Sequence, residues 1–271
     1  MKIDWLELWR ELILANPHTP DSGPIKRYKA HSHQKRERPD PLLDLILQSV
    51  DSNVTVLDIG AGNGRWTVPL AQRAKVVTAI EPDREMVEIL QDNIQSSLVN
   101  IQIMQSSWEE SQAEIHDIVV CAHAMYSSPD FAAFVHKMEQ HARKTCYLAI
   151  RLPPADGIIA ELTNTIYGRI YDSANAVIAY NALYSLGIYA NVLVENEIYP
   201  WVNNTFEEAF LRAKRHLHLE RTDTYDQLIR DTLSRRLNPT NNVYIWPDGM
   251  RSALLWWNPS SKGFLQSETR L

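Results

Sequence analysis

A branched apolar run that carries one acid, Val56-Leu57-Asp58-Ile59, passes directly into Gly60-Ala61-Gly62-Asn63-Gly64. Arg65-Trp66-Thr67-Val68-Pro69-Leu70-Ala71 then resumes with apolar residues at helical spacing. Glycines at alternate positions allow a tight turn in backbone conformations that side-chain-bearing residues avoid. Strand, turn and helix in that order aim backbone N–H groups outward at a helix N-terminus, the arrangement by which α/β folds hold a ligand.

The chain around this turn keeps the same rhythm. Strand-like runs fall at Val54–Ile59, Lys75–Ile80, Asn100–Met104, Ile115–Ala122 and Thr145–Leu152, with helical spacing near 65–74, 83–96 and 129–142. Five strands separated by helices imply a doubly wound, mostly parallel sheet. Asn191–Tyr199 and Val243–Trp257 read as two further strands, which without a simple strand–helix–strand rhythm suggest an antiparallel edge. Residues 153–189 carry helix-like segments and no strand. Asp40 before Pro41 caps a helix running to Val50, and Ser128 before Pro129 caps another. Thr205-Phe206-Glu207-Glu208 is a capping box opening a helix that runs to about Glu220. Residues 3–15 form an amphipathic helix whose face of Ile3, Leu6, Trp9 or Arg10, and Ile13, flanked by Trp5, Leu8 and Leu12, needs a surface to pack on, either the chain's own cap or a second subunit.

Several classes of protein are excluded. No apolar run approaches the ~18–20 residues that cross a bilayer, and Asp4, Glu7, Arg10 and Glu11 break any leader-like stretch at the start. Cys121 and Cys146, the only cysteines, lie inside strand-like runs and read as buried free thiols of a cytoplasmic protein. A net charge of -6 weighs against constitutive nucleic-acid binding.

The order of acid and glycines narrows the ligand. A dinucleotide fingerprint needs a third glycine where Arg65 stands, and Asp58 ahead of the turn would repel a pyrophosphate. It suits a ligand with a cationic centre. Val-Leu-Asp-Ile-Gly-Ala-Gly-Asn-Gly resembles the first motif of class I S-adenosylmethionine (SAM)-dependent methyltransferases, and the resemblance extends over roughly Pro41 to Trp257. It implies a Rossmann-like, seven-stranded, mostly parallel sheet whose last strand is antiparallel, with a helical cap inserted after the fifth strand. It also implies SAM as cofactor and S-adenosylhomocysteine as product. On that resemblance Gly60, Ala61, Gly62 and Gly64 approach the methionine part of SAM above Asp58. Glu81, followed by Pro82, meets the ribose hydroxyls, and Ser107 and Trp108 border the adenine. Cys121, Ala122 and His123 run past the sulfonium towards Tyr126.

The implied division is an N-terminal helix and basic loop at 1–40, a SAM-binding core at 41–152, a substrate cap at 153–190, the rest of the core sheet at 191–258 and a tail at 259–271. Methyl transfer needs alignment of nucleophile and methyl group and at times a base. His123 and Tyr126 are the catalytic candidates. The cap is rich in tyrosine, and Tyr171, Tyr180 and Asn181, with Tyr126 and with Arg151 after the fifth strand, are the candidates for a small-molecule pocket. Arg251 is as suited to a salt bridge as to a substrate anion. His31-Ser32-His33 and His216-Leu217-His218 lack metal-site spacing, so no metal is expected. The cationic loop from Lys26 to Arg38 keeps open a transfer- or ribosomal-RNA substrate, although no aromatic ladder accompanies it. A non-catalytic SAM-binding partner protein is the third reading. The expected state is a monomer or homodimer off the membrane.

Overall fold

The computed structural model describes residues 3–15, 39–94, 100–154, 156–196, 200–240, 243–247, 249 and 251–259. The basic loop 26–38 and Tyr199 lie outside the described residues. Strands in chain order are β1 (Thr55–Ile59), β2 (Val76–Ile80), β3 (Ile101–Met104), β4 (His116–Ala122), β5 (Ala142–Leu152), β6 (Asn191–Val194), β7 (Val202–Asn203), β8 (Asn238–Thr240), β9 (Val243–Ile245) and β10 (Arg251–Trp257). Helices are α1 (Trp5–Ala15), α2 (Pro41–Leu47), α3 (Thr67–Ala71), α4 (Arg84–Ile94), α5 (Phe131–His141), α6 (Ile158–Tyr167), α7 (Ala176–Ser185), α8 (Phe206–His216) and α9 (Asp226–Arg236). The chain divides into two compact units, one of residues 1–150, 177–193 and 253–271, the other of 151–176 and 194–252.

The first unit holds the seven-stranded sheet, in the order β3-β2-β1-β4-β5-β10-β6. Strands β1 to β5 pair in parallel. The last strand, β10, is antiparallel to β6: Glu195 N–H meets Ser252 O while Asn191 Nδ2 meets Trp256 O. This is the expected α/β sheet. The winding reverses between β1 and β4, the switch point at which such sheets bind ligands beyond the strands' carboxyl ends. Ile59 is level with Ile80 on one side and Cys121 on the other, so the residues following β1, β2 and β4 gather at one edge. Branched residues of the strands pack between helices in a core that includes Leu42, Ile46, Val56, Leu70, Val77, Ile118 and Val120.

Strand positions follow the apolar runs closely, and the helix starts show what caps decide. Asp40 accepts from Leu43 N–H at 3.2 Å and starts α2, which stops at Leu47, short of Val50. The helix expected from Ser128-Pro129 starts later, because Asp130 is the residue that caps it, accepting from Ala133 N–H at 2.9 Å. Ser128 has another task. Its carbonyl accepts from the Trp9 indole N–H at 3.0 Å, and the Trp9 ring lies 4.5 Å from Phe131. Helix α1 therefore packs on α5 of its own unit through Trp9, with Leu12 and Ile13 also buried, while Ile3 is exposed.

Residues 153–190 hold α6 and α7, the helices expected after β5, which fall in different units. α6 packs with α8 and α9 around Leu162, Phe210, Leu217, Ile229, Leu233 and Trp246, beside a small antiparallel sheet ordered β7-β9-β8. α7 lies almost wholly in the first unit. The single strand expected over Val243–Trp257 is two strands, because Trp246 turns inward, its N–H donating to Trp201 O at 2.9 Å, and Pro247 has no N–H for a ladder. The capping box is present: Thr205 Oγ1 accepts from Glu208 N–H, and Glu208 accepts from Asn204 N–H rather than from Thr205; the helix ends at His216, short of Glu220. Glu161 of α6 accepts from both Arg235 and Arg236 of α9. Among the described residues no helix is long and apolar enough to cross a membrane.

Truncating the fully buried Trp9 leaves a large cavity and an unpaired carbonyl at Ser128, so Trp9→Ala should cost about 3–5 kcal/mol in urea unfolding. A cost below about 1 kcal/mol would show that α1 is not docked as described.

Candidate functional site

The turn after β1 is held in place by backbone bonds to its neighbour strand. Gly60 and Ala61 N–H both donate to Ile80 O, at 2.8 and 3.0 Å. Gly60, Gly62 and Gly64 all have positive φ, of 71°, 56° and 83°. Two of them are also required by space. A Cβ on Gly60 would sit 2.1 Å from Ala124 Cβ, and one on Gly64 would sit 2.4 Å from Leu90 Cδ1 of α4. Gly62 differs, since nothing lies within 4 Å of where its Cβ would be. The turn thus closes on protein at two positions and opens at the third.

Two buried carboxylates support it. Asp58 is 2% exposed and accepts a 2.6 Å bond from Thr67 Oγ1 at the start of α3. Burial raises its pKa to about 6, with Thr67 lowering it and the Glu81 charge adding to the rise. Glu81, just past β2, accepts from Gly62 N–H at 2.8 Å through Oε2 and from Asp83 N–H at 2.9 Å through Oε1. Its pKa is also raised by burial, against the pull of those two backbone donors. Two anions near one open turn, both burdened by desolvation, favour a cationic or donor-rich ligand.

The remaining predicted residues fall into three groups. At the end of β4, His123 has a left-handed backbone (φ 59°), its Nδ1 lies 3.4 Å from Tyr126 Oη, and the two rings stack at 6.4 Å and 19°. Non-glycine residues in this region are uncommon and cluster at functional sites. Cys121 is buried, its thiol pushed well up by desolvation, and so is unsuited to act as a nucleophile. Ala122 is half-buried beside it.

After β3, Ser107 Oγ bonds within its own turn, accepting from Glu110 N–H at 3.2 Å. Trp108 is buried against α5, with Phe134 and His141 at its edges and Lys137 Nζ 4.6 Å from its ring centre. Lys137 Nζ also donates to the carbonyls of Trp108, Glu109 and Ser111 and so fixes this turn.

Arg151 and Tyr171 belong to the second unit and Tyr180 and Asn181 to the first. Tyr180 is exposed, and Asn181 Nδ2 is used within its helix, donating to Val177 O at 2.7 Å.

Sequence reasoning missed three supports. Thr67 holds Asp58, Lys137 holds the turn after β3, and Asp40 does more than cap α2. Its Oδ2 accepts from Arg65 at 2.5 Å and from the Trp66 indole at 2.8 Å, tying α2 to the residues that follow the glycines. The signal for Thr67 was present, as a hydroxyl at the helix start facing an acid at the strand end; nothing local marks Lys137.

Residues 56–145 match the model of the methyltransferase domain family. This stretch, a third of the chain, matches as a methyltransferase domain. Among solved structures, the YcgJ protein of Bacillus subtilis has the same fold, with a TM-score of 0.52 at 18% identity, covering 80% of this chain and 97% of that one. An uncharacterized protein of Haemophilus influenzae is 25% identical over 94% of this chain and 97% of its own length. The probable ribosomal RNA small subunit methyltransferase A of Methanosphaera stadtmanae is 47% identical, but over 24% of this chain and 25% of its own length. The ubiquinone biosynthesis O-methyltransferase of Rickettsia akari is 27% identical over 34% and 37%. The chain thus spans a quarter to just over a third of the length of these two named relatives. The methyltransferase domain contains every residue of the glycine turn and both buried carboxylates.

Asp58 gives a signed prediction for the protein without ligand. Its pKa rises from 3.8 to about 6 on folding, so the folded state resists ionising it. Stability from this group is complete below about pH 4 and is lost as pH rises through 6, about 3 kcal/mol in all. Asp58→Asn keeps an acceptor for Thr67 and removes the charge. In urea unfolding it should exceed the parent by about 2–3 kcal/mol at pH 8 and match it near pH 4. A variant less stable at pH 8 would contradict this account.

Proposed function

We propose that this protein is an enzyme that transfers the methyl group of SAM to a small molecule. One arrangement carries the reading: a buried carboxylate, Asp58, beneath a glycine turn that opens only at Gly62, with Glu81 fixed beside it. These residues fit SAM by their chemistry. The open position at Gly62 lets a ligand reach the backbone, and Asp58 favours a cationic amino acid. Glu81 keeps lone pairs beyond the two its backbone bonds use, enough to accept from a diol.

In this reading Gly60, Ala61, Gly62 and Gly64 hold the methionine part from the backbone and Asp58 compensates its charge. Glu81, with its direction fixed before Pro82, binds the ribose, and Ser107 and Trp108 border the adenine. Cys121, Ala122 and His123 line the reactive end. When bound, SAM supplies an activated methyl carbon on a sulfonium. The chain's own work is then to align the acceptor, exclude water and take up a proton where the acceptor carries one. His123 is the base in this proposal, with Tyr126 as its hydrogen-bonding neighbour. Tyr126, Arg151, Tyr171, Tyr180 and Asn181 remain the substrate-binding proposals.

A small-molecule acceptor is supported by the net charge of -6 and by the relative named for ubiquinone biosynthesis. A ribosomal RNA acceptor is favoured by the 47% identity over 68 residues with one protein named for that activity, by 28% identity over 149 residues with another of the same name, and by the cationic run from Lys26 to Arg38. Purified protein with methyl-labelled SAM should label a component of a small-metabolite extract and leave total RNA unlabelled. Label in RNA alone reverses the substrate assignment, and SAM binding with no S-adenosylhomocysteine formed from either fraction supports the non-catalytic alternative.

Glu81→Ala removes an acceptor from both Gly62 and the proposed diol. Calorimetry should show SAM binding weakened by about 1–3 kcal/mol. An unchanged affinity would refute the ribose role.

A further inference from the structure

The second unit contains a cleft of its own, with about 430 Å³ of free space including its open mouth. Pro153, Pro154, Ile158, Trp201, Trp246 and Pro247 give it flat apolar walls, and Asp172 is the one ionisable group among its described lining residues. The two indoles meet at 72° with ring centres 5.5 Å apart, forming a corner. Neither is free to turn. Trp246 Nε1 donates to Asn203 Oδ1 at 3.0 Å, and its N–H is bonded to Trp201 O. Trp201 is backed by α8: His216 stacks on it at 4.8 Å and 11°, and the Arg212 guanidinium stands 5.1 Å from its ring centre. Desolvation and the charges of Arg212 and Arg151 push His216 below its usual range, so it backs Trp201 as a neutral ring at pH 7.

Fixed aromatic walls with a single oriented polar group are the hallmark of a small-molecule site, since little entropy is lost in ordering them. The polar group decides the ligand class. A carboxylate accepts hydrogen bonds and repels anions, so phosphate esters and carboxylates are disfavoured, and a hydroxyl or amine is favoured. Desolvation raises the pKa of Asp172, with the Ser173 hydroxyl and the Arg151 charge drawing it back, as expected of a carboxyl set into an apolar wall.

We infer that the second unit binds a flat, uncharged or cationic aromatic compound, with its ring in the Trp201–Trp246 corner and a hydroxyl or amino group donating to Asp172. The described lining residues all belong to the second unit, outside residues 56–145.

Ligand-observed NMR on the full chain tests it with three probes of one shape: p-cresol, p-methylanisole and p-toluate. p-Cresol should bind about tenfold more tightly than p-methylanisole, the value of one hydrogen bond, and p-toluate should not bind. Asp172→Leu should abolish the preference for p-cresol while both neutral rings still bind. Ala160→Phe, which fills the cleft from a half-buried lining position, should abolish binding of all three. Equal binding of the three probes overturns the inference, as does p-cresol binding that survives Ala160→Phe, or no p-cresol binding up to its solubility. If Asp172→Leu does not fold, the probe comparison on the parent chain and Ala160→Phe still decide. Calorimetry with SAM on the same samples separates the two conclusions. Intact SAM binding with failed probes removes this site alone, and lost SAM binding in the parent removes the methyltransferase reading alone.

Discussion

The 2.8 Å bond from Gly62 N–H to Glu81 holds the functional edge of the first unit together. It joins residues nineteen positions apart and ties the turn after β1 to the end of β2. The bonds of Gly60 and Ala61 to Ile80 O bring the same two strands together one step earlier. With the turn fixed there, Gly60 can lie against Ala124 after β4 and Gly64 against Leu90 of α4, so three neighbouring segments are registered on a turn without bulky side chains. Asn93 of α4 adds a bond to Asn63 O at 2.8 Å. The one stretch of this edge left open, at Gly62, is open because the stretches on either side are closed by contact.

That order has an electrostatic cost. Asp58 and Glu81 are both desolvated; the Glu81 charge adds to the resistance of Asp58 to ionisation, and the Asp83 charge does the same for Glu81. Thr67 and the backbone N–H groups of Gly62 and Asp83 offset part of it. A chain selected for stability alone would place apolar residues at such positions, because a buried, incompletely compensated carboxylate is destabilising. Retaining two of them at the switch point of the sheet makes sense when a ligand completes their compensation. The left-handed backbone of His123 belongs to the same pattern of local strain at the strand ends.

How much of this could be read from the chain depended on how local each cause was. β1 to β4 appear within a residue of their expected ends, because an apolar run bounded by charged or turn residues is decided by neighbours in sequence. Helix starts were legible where the cap was unambiguous, as at Asp40 and Thr205, and misplaced where Ser128 and Asp130 competed. The layout of the second unit was not legible. It joins 151–176 with 194–252, and its strand break depends on Trp246 turning into a core whose other buried members lie 9 to 88 residues away. Lys137 was missed for the same reason, since the carbonyls it holds lie 26 to 29 residues back.

The two units also show two ways of fixing a surface for binding. In the methyltransferase domain the backbone of the glycine turn is the proposed binding element, so the sequence there is glycine and acid, and its meaning survives in a short motif. In the second unit the binding element is a pair of side chains, Trp201 and Trp246, whose orientation comes from Asn203, His216 and Arg212 on other elements. Such a surface leaves no contiguous motif, because each support can come from any element that reaches it. A cofactor common to a whole family is therefore readable from nine residues, whereas the ligand particular to one chain is written in a dispersed set that only the folded structure assembles.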